Sequence, residues 1–212
     1  MDKDIEKFTT LEELFNKWRT EKGHEFFCKD GFIDEDTFKK QEKKILFIAK
    51  ESNISVDDYK EDYYWLQSVV HGDSVPKISS RRILIMTNAL FSDDFDTVKK
   101  DPKGYNILEK IAYMNINKCG GGSRSKDNEL EEYAKTYKEY IEKEINIINP
   151  DLIVCGSSIV HNIVGGIVER KNDRPYLVEV YHPSYYRISD KEYLKRFYNE
   201  LKNIQKNKQR HN

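Results

Sequence analysis

A chain of 212 residues with 36 Lys and Arg against 37 Asp and Glu is sized for one domain with a proper core, and its near-zero net charge excludes a histone-like or tail-driven nucleic-acid binder. Three cysteines, far apart and odd in number, fit a reducing compartment rather than a disulfide framework. No Cys-x-x-Cys or His-x-x-x-His spacing suggests zinc, so no metal or other cofactor is expected. The N-terminus carries no apolar targeting segment, and no stretch approaches the roughly 20 apolar residues of a membrane span, so a soluble cytoplasmic protein is expected.

In chain order, Thr9 or Thr10 caps a helix with Leu11, Leu14, Phe15 and Trp18 on its apolar face. The run Ile45-Leu-Phe-Ile-Ala49 reads as a buried strand, and residues 57–70 as an aromatic-rich helix. Ser79 or Ser80 is positioned to cap a helix reaching about Phe91, and 112–117 reads as a strand broken by Gly120-Gly-Gly122. The longest helical pattern covers 127–148 and stops at Pro150; 151–155 is a second buried strand. Gly156-Ser157-Ser158 then turns into a short helix expected to stop at Gly165-Gly166. Residues 176–181 form the last strand, and a final helix runs over about 189–205. Four apolar strands separated by helices predict a parallel sheet covered on both faces; strand order is not readable from this pattern. We expect a single domain over 1–212, with an N-terminal helical extension (1–43), a core (44–190) and a C-terminal helix (191–212).

Ligands of open α/β sheets bind at the carboxyl ends of strands, and four such ends carry chemistry. His182-Pro183-Ser184 follows the last strand, where the stiff Pro holds a titratable ring at the sheet edge. After the first strand, Lys50-Glu51-Ser52-Asn53 offers a carboxylate able to orient water, with a solvated loop as the competing reading. Asn115 and Asn117 share a strand face and have the donor–acceptor amides that read a nucleobase edge, or serve as strand-end caps. The segment from Lys118 through Arg124 to Lys126 is Gly-, Ser- and cation-rich, suited to phosphate but without Walker spacing. Ser157 and Ser158 open a helix and form a generic anion site. Tyr185, Tyr186 and Arg187 have the character of a surface wedge for a base stack, or of an aromatic cover for the core.

The ordered set Ile45-Leu-Phe-Ile-Ala-Lys-Glu-Ser-Asn53, Tyr113-Met-Asn-Ile-Asn-Lys-Cys119, Asn149-Pro-Asp-Leu-Ile-Val-Cys-Gly156 and Val180-Tyr-His-Pro-Ser-Tyr-Tyr186 resembles the uracil-DNA glycosylase superfamily, nearest to its iron–sulfur branch. The resemblance spans roughly residues 45–190, and the His-Pro-Ser element is its most specific part. It implies a three-layer α/β/α fold around a four-stranded parallel sheet, and hydrolysis of the N-glycosidic bond of a base flipped out of DNA. His182 would stabilise the leaving base, Asn115 read its edge, and Glu51 activate water, a role that falls on Lys50 in the nearest branch. Tyr63, Tyr64 and Trp65 are the candidates for stacking on the base. Lys50, Asn53 and Asn117 complete the base-binding set; Arg124, Ser157, Ser158, Ser184, Tyr185, Tyr186 and Arg187 would contact DNA. The first motif lacks the family's usual Gly or Pro. The cluster-bearing branch needs four cysteines and only Cys119 is at a ligand-like position, so no iron–sulfur cluster is expected.

The resulting expectation is a metal-independent DNA glycosylase of uracil or another altered base, acting in base-excision repair or antiviral defence. The competing class is a binding module that holds a base or nucleic acid without cutting it, and a weaker third is a hydrolase of free nucleosides.

Overall fold

The computed structural model describes residues 5–22, 26–52, 64–96, 104–119, 126–168 and 175–211. The described chain forms helices α1 (Leu11–Lys22), α2 (Glu35–Lys39), α3 (Trp65–Val70), α4 (Ile78–Ser92), α5 (Asp127–Thr136), α6 (Lys138–Ile148), α7 (Ser158–Val168) and α8 (Asp190–His211). Strands are β1 (Gly31–Phe32), β2 (Ile45–Glu51), β3 (Ala112–Asn117), β4 (Leu152–Cys155) and β5 (Tyr176–Glu179), and a 3-10 turn covers Tyr105–Lys110.

The sheet is five-stranded and mixed, in the order β1-β3-β2-β4-β5, which corrects the expected four-stranded parallel sheet. The four sequence-predicted strands are indeed mutually parallel. Two-residue β1 adds an antiparallel edge to β3, with Gly31 opposite Tyr113. Gly31 has φ of 115°, and a Cβ there would meet Leu11 Cδ1 at 2.3 Å, so this close turn requires glycine.

Strand alternation divides the core in two. Leu46, Ile48, Met114, Ile116, Ile153 and Cys155 face α1, α5, α6 and α7. Ile45, Phe47, Ala49, Tyr113, Val154, Val178 and Val180 face α3, α4 and α8. Helices therefore cover both faces. The segment expected as an N-terminal extension belongs to this core: Leu14, Phe15, Trp18 and Phe27 are all buried in the first cluster. The connection from β2 to β3 runs through α3 and α4 on one face, and those after β3 and β4 run through helices on the other. The neighbours β2 and β4 thus part to opposite faces, which opens a crevice at their carboxyl ends.

Local signals account for most helix ends. Thr10 and Glu13 close a capping box on α1: Glu13 N–H donates to Thr10 Oγ1 at 3.3 Å, and Thr10 N–H to Glu13 Oε2 at 3.2 Å. Helix α4 is capped at Lys77, not at Ser79 or Ser80; Ser80 is three residues in, and its Oγ accepts from Lys77 N–H at 2.9 Å. The expected 127–148 helix is two, broken at Tyr137. Asn149 ends α6 with φ of 51°, a left-handed cap ahead of Pro150. Helix α7 runs through Gly165-Gly166 to Val168 because Val164, Ile167 and Val168 bury that last turn. The expected 57–70 helix is seen as α3 alone, and 57–63 lie outside the described residues.

Candidate functional site

The parity that sorts the core also aims the strand ends. Glu51 continues the series Ile45, Phe47, Ala49, and His182 continues Val178, Val180, so both belong to the α3/α4/α8 face. A cavity of about 160 Å³ opens there, lined by Ala49, Glu51, Ser52, Trp65, Tyr113 and His182 with Lys77, Ser79, Ile83, Pro183 and Ser184. It is smaller than the roughly 300–1,000 Å³ of drug-sized sites, which suits a single ring system. Larger hollows, of about 330 and 500 Å³, lie against α8. The first follows the outer edge of β5, and the second touches Leu152 and Tyr176, the opening residues of their strands. The first meets the carboxyl end of β5 alone and the second meets none, whereas the smaller cavity joins the end of β2 to the turn after β5 and is the candidate site.

His182 is at the solvent-open lip of this cavity. The backbone N–H of Ser184 donates to its Nδ1 at 3.1 Å. A nitrogen that accepts carries no proton in the neutral ring, so the proton of neutral His182 is on Nε2, which becomes a donor. Loss of water around the ring, and secondarily the Lys50 ammonium, hold the imidazole below the usual histidine range. Both effects favour the neutral ring. The turn is pinned from β4: Gly156 N–H donates to Ile48 O at 2.8 Å, and a Cβ on Gly156 would lie 3.2 Å from that oxygen and 3.4 Å from Pro183 Cδ.

Glu51 lines the cavity and its Oε2 accepts from Asn117 Nδ2 at 3.2 Å. Trp65 forms one wall, its ring edge-on to Tyr113 with centroids 5.4 Å apart. Lys50 has the opposite parity and pairs with Asp127 at the start of α5, Nζ to Oδ1 2.5 Å; it does not line the cavity, though its charge reaches His182. That corrects its expected place in the base-binding set.

Asn115 also departs from expectation. It is buried, and both of its amide hydrogens are used: Nδ2 donates to Asp30 Oδ2 at 3.3 Å and Ser52 Oγ at 3.1 Å, while Oδ1 accepts from Tyr113 Oη at 3.2 Å. Its backbone N–H donates to Asp30 Oδ2 at 2.6 Å. Asn115 thus braces the cavity wall, with no amide hydrogen left to donate to a base, and it does not line the cavity. Asn117 is likewise committed, to Glu51 and, through Oδ1, to the Cys119 N–H at 2.9 Å.

Behind Asn115 is a buried ionic triad that no local pattern revealed. Lys118, fully buried, pairs with Asp30 and with Glu144 Oε1, the latter at 2.8 Å. Burial disfavours the ammonium, but the two carboxylates outweigh it and hold the Lys118 pKa above the ordinary lysine range. Burial, opposed by Lys118 and reinforced by Asp30, pushes Glu144 well above the ordinary glutamate range. Lys118 is accordingly part of the core, not a phosphate donor as its place beside the Gly-rich loop implied.

Of the other expected contacts, Ser157 caps α7, its Oγ accepting from Val160 N–H at 3.4 Å, and exposed Ser158 begins that helix. Ser184 lines the cavity; Tyr186 is 75% exposed and Arg187 exposed beside it, with Tyr185 packed at 5.0 Å on Tyr181. Tyr64 precedes α3 and borders a residual gap of about 10 Å³. Asn53, Tyr63 and Arg124 lie outside the described residues. Cys28 is no nucleophile, since burial and then Asp30 push its thiol up to about 11.

The residue that sequence reading missed is Arg82. It is 2% exposed on α4 and reaches under the His182 turn to Pro183, Tyr185 and Ile188 carbonyls. Among the described residues no cluster of His, Cys, Asp and Glu could hold a metal ion, and no helix is long and apolar enough to cross a membrane. No protein-family model and no curated protein matches this chain.

Proposed function

We propose that this chain is a DNA glycosylase that hydrolyses the N-glycosidic bond of a flipped-out uracil or other altered base, on a three-layer scaffold of the uracil-DNA glycosylase kind. The observation that carries the reading is the shared cavity: Glu51 at the end of β2 and His182 in the turn after β5 line one ring-sized hollow beside Trp65. The target nucleotide leaves the stack and its base enters between Trp65 and the His182 turn. As the bond from C1′ to the base nitrogen breaks, its electron pair goes to the base and the sugar becomes oxocarbenium-like. His182 Nε2–H donates to the base oxygen where negative charge collects. Glu51 holds the water whose oxygen bonds to C1′, accepts its proton, and offsets the positive sugar. Tyr186 and Arg187 engage the neighbouring DNA. Base selection falls to the groups that line the hollow, Ser52 and Ser79 among them.

A second reading, a base-binding module that does not cut, is favoured by the bond from Asn117 to Glu51 Oε2, which occupies one oxygen of the water-holding carboxylate. Incubation with single- and double-stranded oligonucleotides carrying uracil, hypoxanthine and modified bases separates the two. Alkali-labile abasic sites are the expected product. Tight binding with every strand intact would replace the glycosylase with the module, and neither result would remove both.

A further inference from the structure

We propose that Arg82 is a positioning residue for His182, acting through the Pro183–Ser184 peptide to fix which ring nitrogen carries the proton. The inference rests on the proposed role of His182 for its catalytic consequence, though not for its structural test.

A peptide unit is planar, with its C=O and N–H on opposite edges. In the unit joining Pro183 to Ser184, the carbonyl accepts from Arg82 Nη1 at 3.3 Å, while the N–H donates to His182 Nδ1 at 3.1 Å. One plane therefore links the guanidinium to the imidazole. Arg82 also donates from Nη1 to Tyr185 O and from Nη2 to Ile188 O at 2.7 Å, so three carbonyls of the turn converge on one fork. The fork itself is fixed. Its Nε is 3.2 Å from Asp190 Oδ1 at the start of α8, and Cζ is 4.6 Å above the Tyr193 ring. A rigid five-donor fork can hold several diverging acceptors where a lysine offers a point charge. A cation on the carbonyl polarises the peptide, strengthening the Ser184 N–H as a donor to Nδ1. That bond requires an unprotonated Nδ1, so it selects the Nε2–H form facing the cavity.

Other charged groups near the ring are Lys50 and Glu51 from the end of β2 and Lys77 ahead of α4. Of these, Lys50 acts on its charge through space; among the described residues the Pro183–Ser184 link is what distinguishes one nitrogen from the other.

The test is side-chain nitrogen NMR of the five histidines in wild type and Arg82→Lys, with His182→Gln to assign the signal. Wild-type His182 is expected as the Nε2–H form, titrating below its usual range. In Arg82→Lys the expected result is a mixture of the two neutral forms and a midpoint shifted upward. On a cleavable oligonucleotide the single-turnover rate is expected to fall about ten- to hundredfold, as for a misplaced reacting group. If Arg82→Lys does not fold, Asp190→Asn loosens the fork from outside and is expected to move both NMR readouts the same way. An unchanged proton position and midpoint in whichever variant folds would overturn the proposal. NMR shifts without any base release would leave Arg82 in place and discard the glycosylase reading instead.

Discussion

Lys118→Met is the sharpest test of the internal electrostatics. The methionine keeps the packing against Phe15 and Trp18, over whose rings the ammonium lies at 5.3 and 5.8 Å, and deletes only the charge. Asp30 and Glu144 are then left buried without a cation, and stranding a buried charge costs about 3–5 kcal/mol. For a chain of this size that lowers Tm by about 6–20 °C. The loss has a defined pH dependence. Without Lys118 the carboxyls have folded pKa values above their unfolded values of roughly 4, so the folded state binds protons more tightly. The variant therefore loses stability as pH rises above about 4 and approaches wild type as pH falls toward it. Urea denaturation followed by circular dichroism at pH 4.5 and pH 7.5 reads this directly. A penalty under about 1 kcal/mol at pH 7.5, or one equal at both pH values, would refute the ionic reading. The companion Glu144→Gln keeps a neutral acceptor for Lys118 in place of a carboxyl that burial pushes upward, and is expected to cost less than about 1 kcal/mol at pH 7.5.

Four further outcomes follow from the site. Gly156→Ala presses its methyl on Ile48 O and Pro183 Cδ and is expected to cost about 1–3 kcal/mol by chemical denaturation while also slowing base release; a fast, fully stable variant would contradict the pinned turn. Base release is expected to hold steady through neutral pH and fall once His182 protonates, because a proton on Nδ1 opposes the Ser184 N–H. Lys50→Met removes one of the two causes holding that pKa down, so the acid limb of the pH–rate profile moves to higher pH; an unmoved limb would free Lys50 of that role. Tyr186→Ala should alter folding stability by no more than about 0.5 kcal/mol yet weaken DNA binding in a gel-shift titration, and unchanged affinity would remove Tyr186 from the DNA surface.

What was legible in the sequence was whatever is encoded locally. Strand β3 coincides with the predicted 112–117, and the first, third and fourth predicted strands lie within two residues of β2, β4 and β5, because short apolar runs flanked by charges and turns leave little choice. Two-residue β1 carries no periodicity and was invisible. The break at Tyr137 has neither Gly nor Pro to announce it, while Gly165-Gly166 announced an end that buried valines override. Glu51 and His182 could be placed at one sheet edge, where they line one cavity, because a strand's parity and its terminus suffice for that. Asn115 misled because its partner Asp30 is 85 residues away, and a free amide and a committed one look alike in sequence. Arg82 was missed for the same reason: its acceptors are backbone carbonyls 101 to 106 residues on, which no side-chain pattern reveals.

The most direct measurement is mass spectrometry of free bases released from uracil-containing and naturally modified DNA by wild type, His182→Ala and Glu51→Gln. The account predicts a released base with wild-type protein and at least a hundredfold slower single-turnover release with His182→Ala, as for other positioned charge stabilisers. Release at the wild-type rate by His182→Ala, or no base from any of these substrates with the wild-type protein, would contradict it.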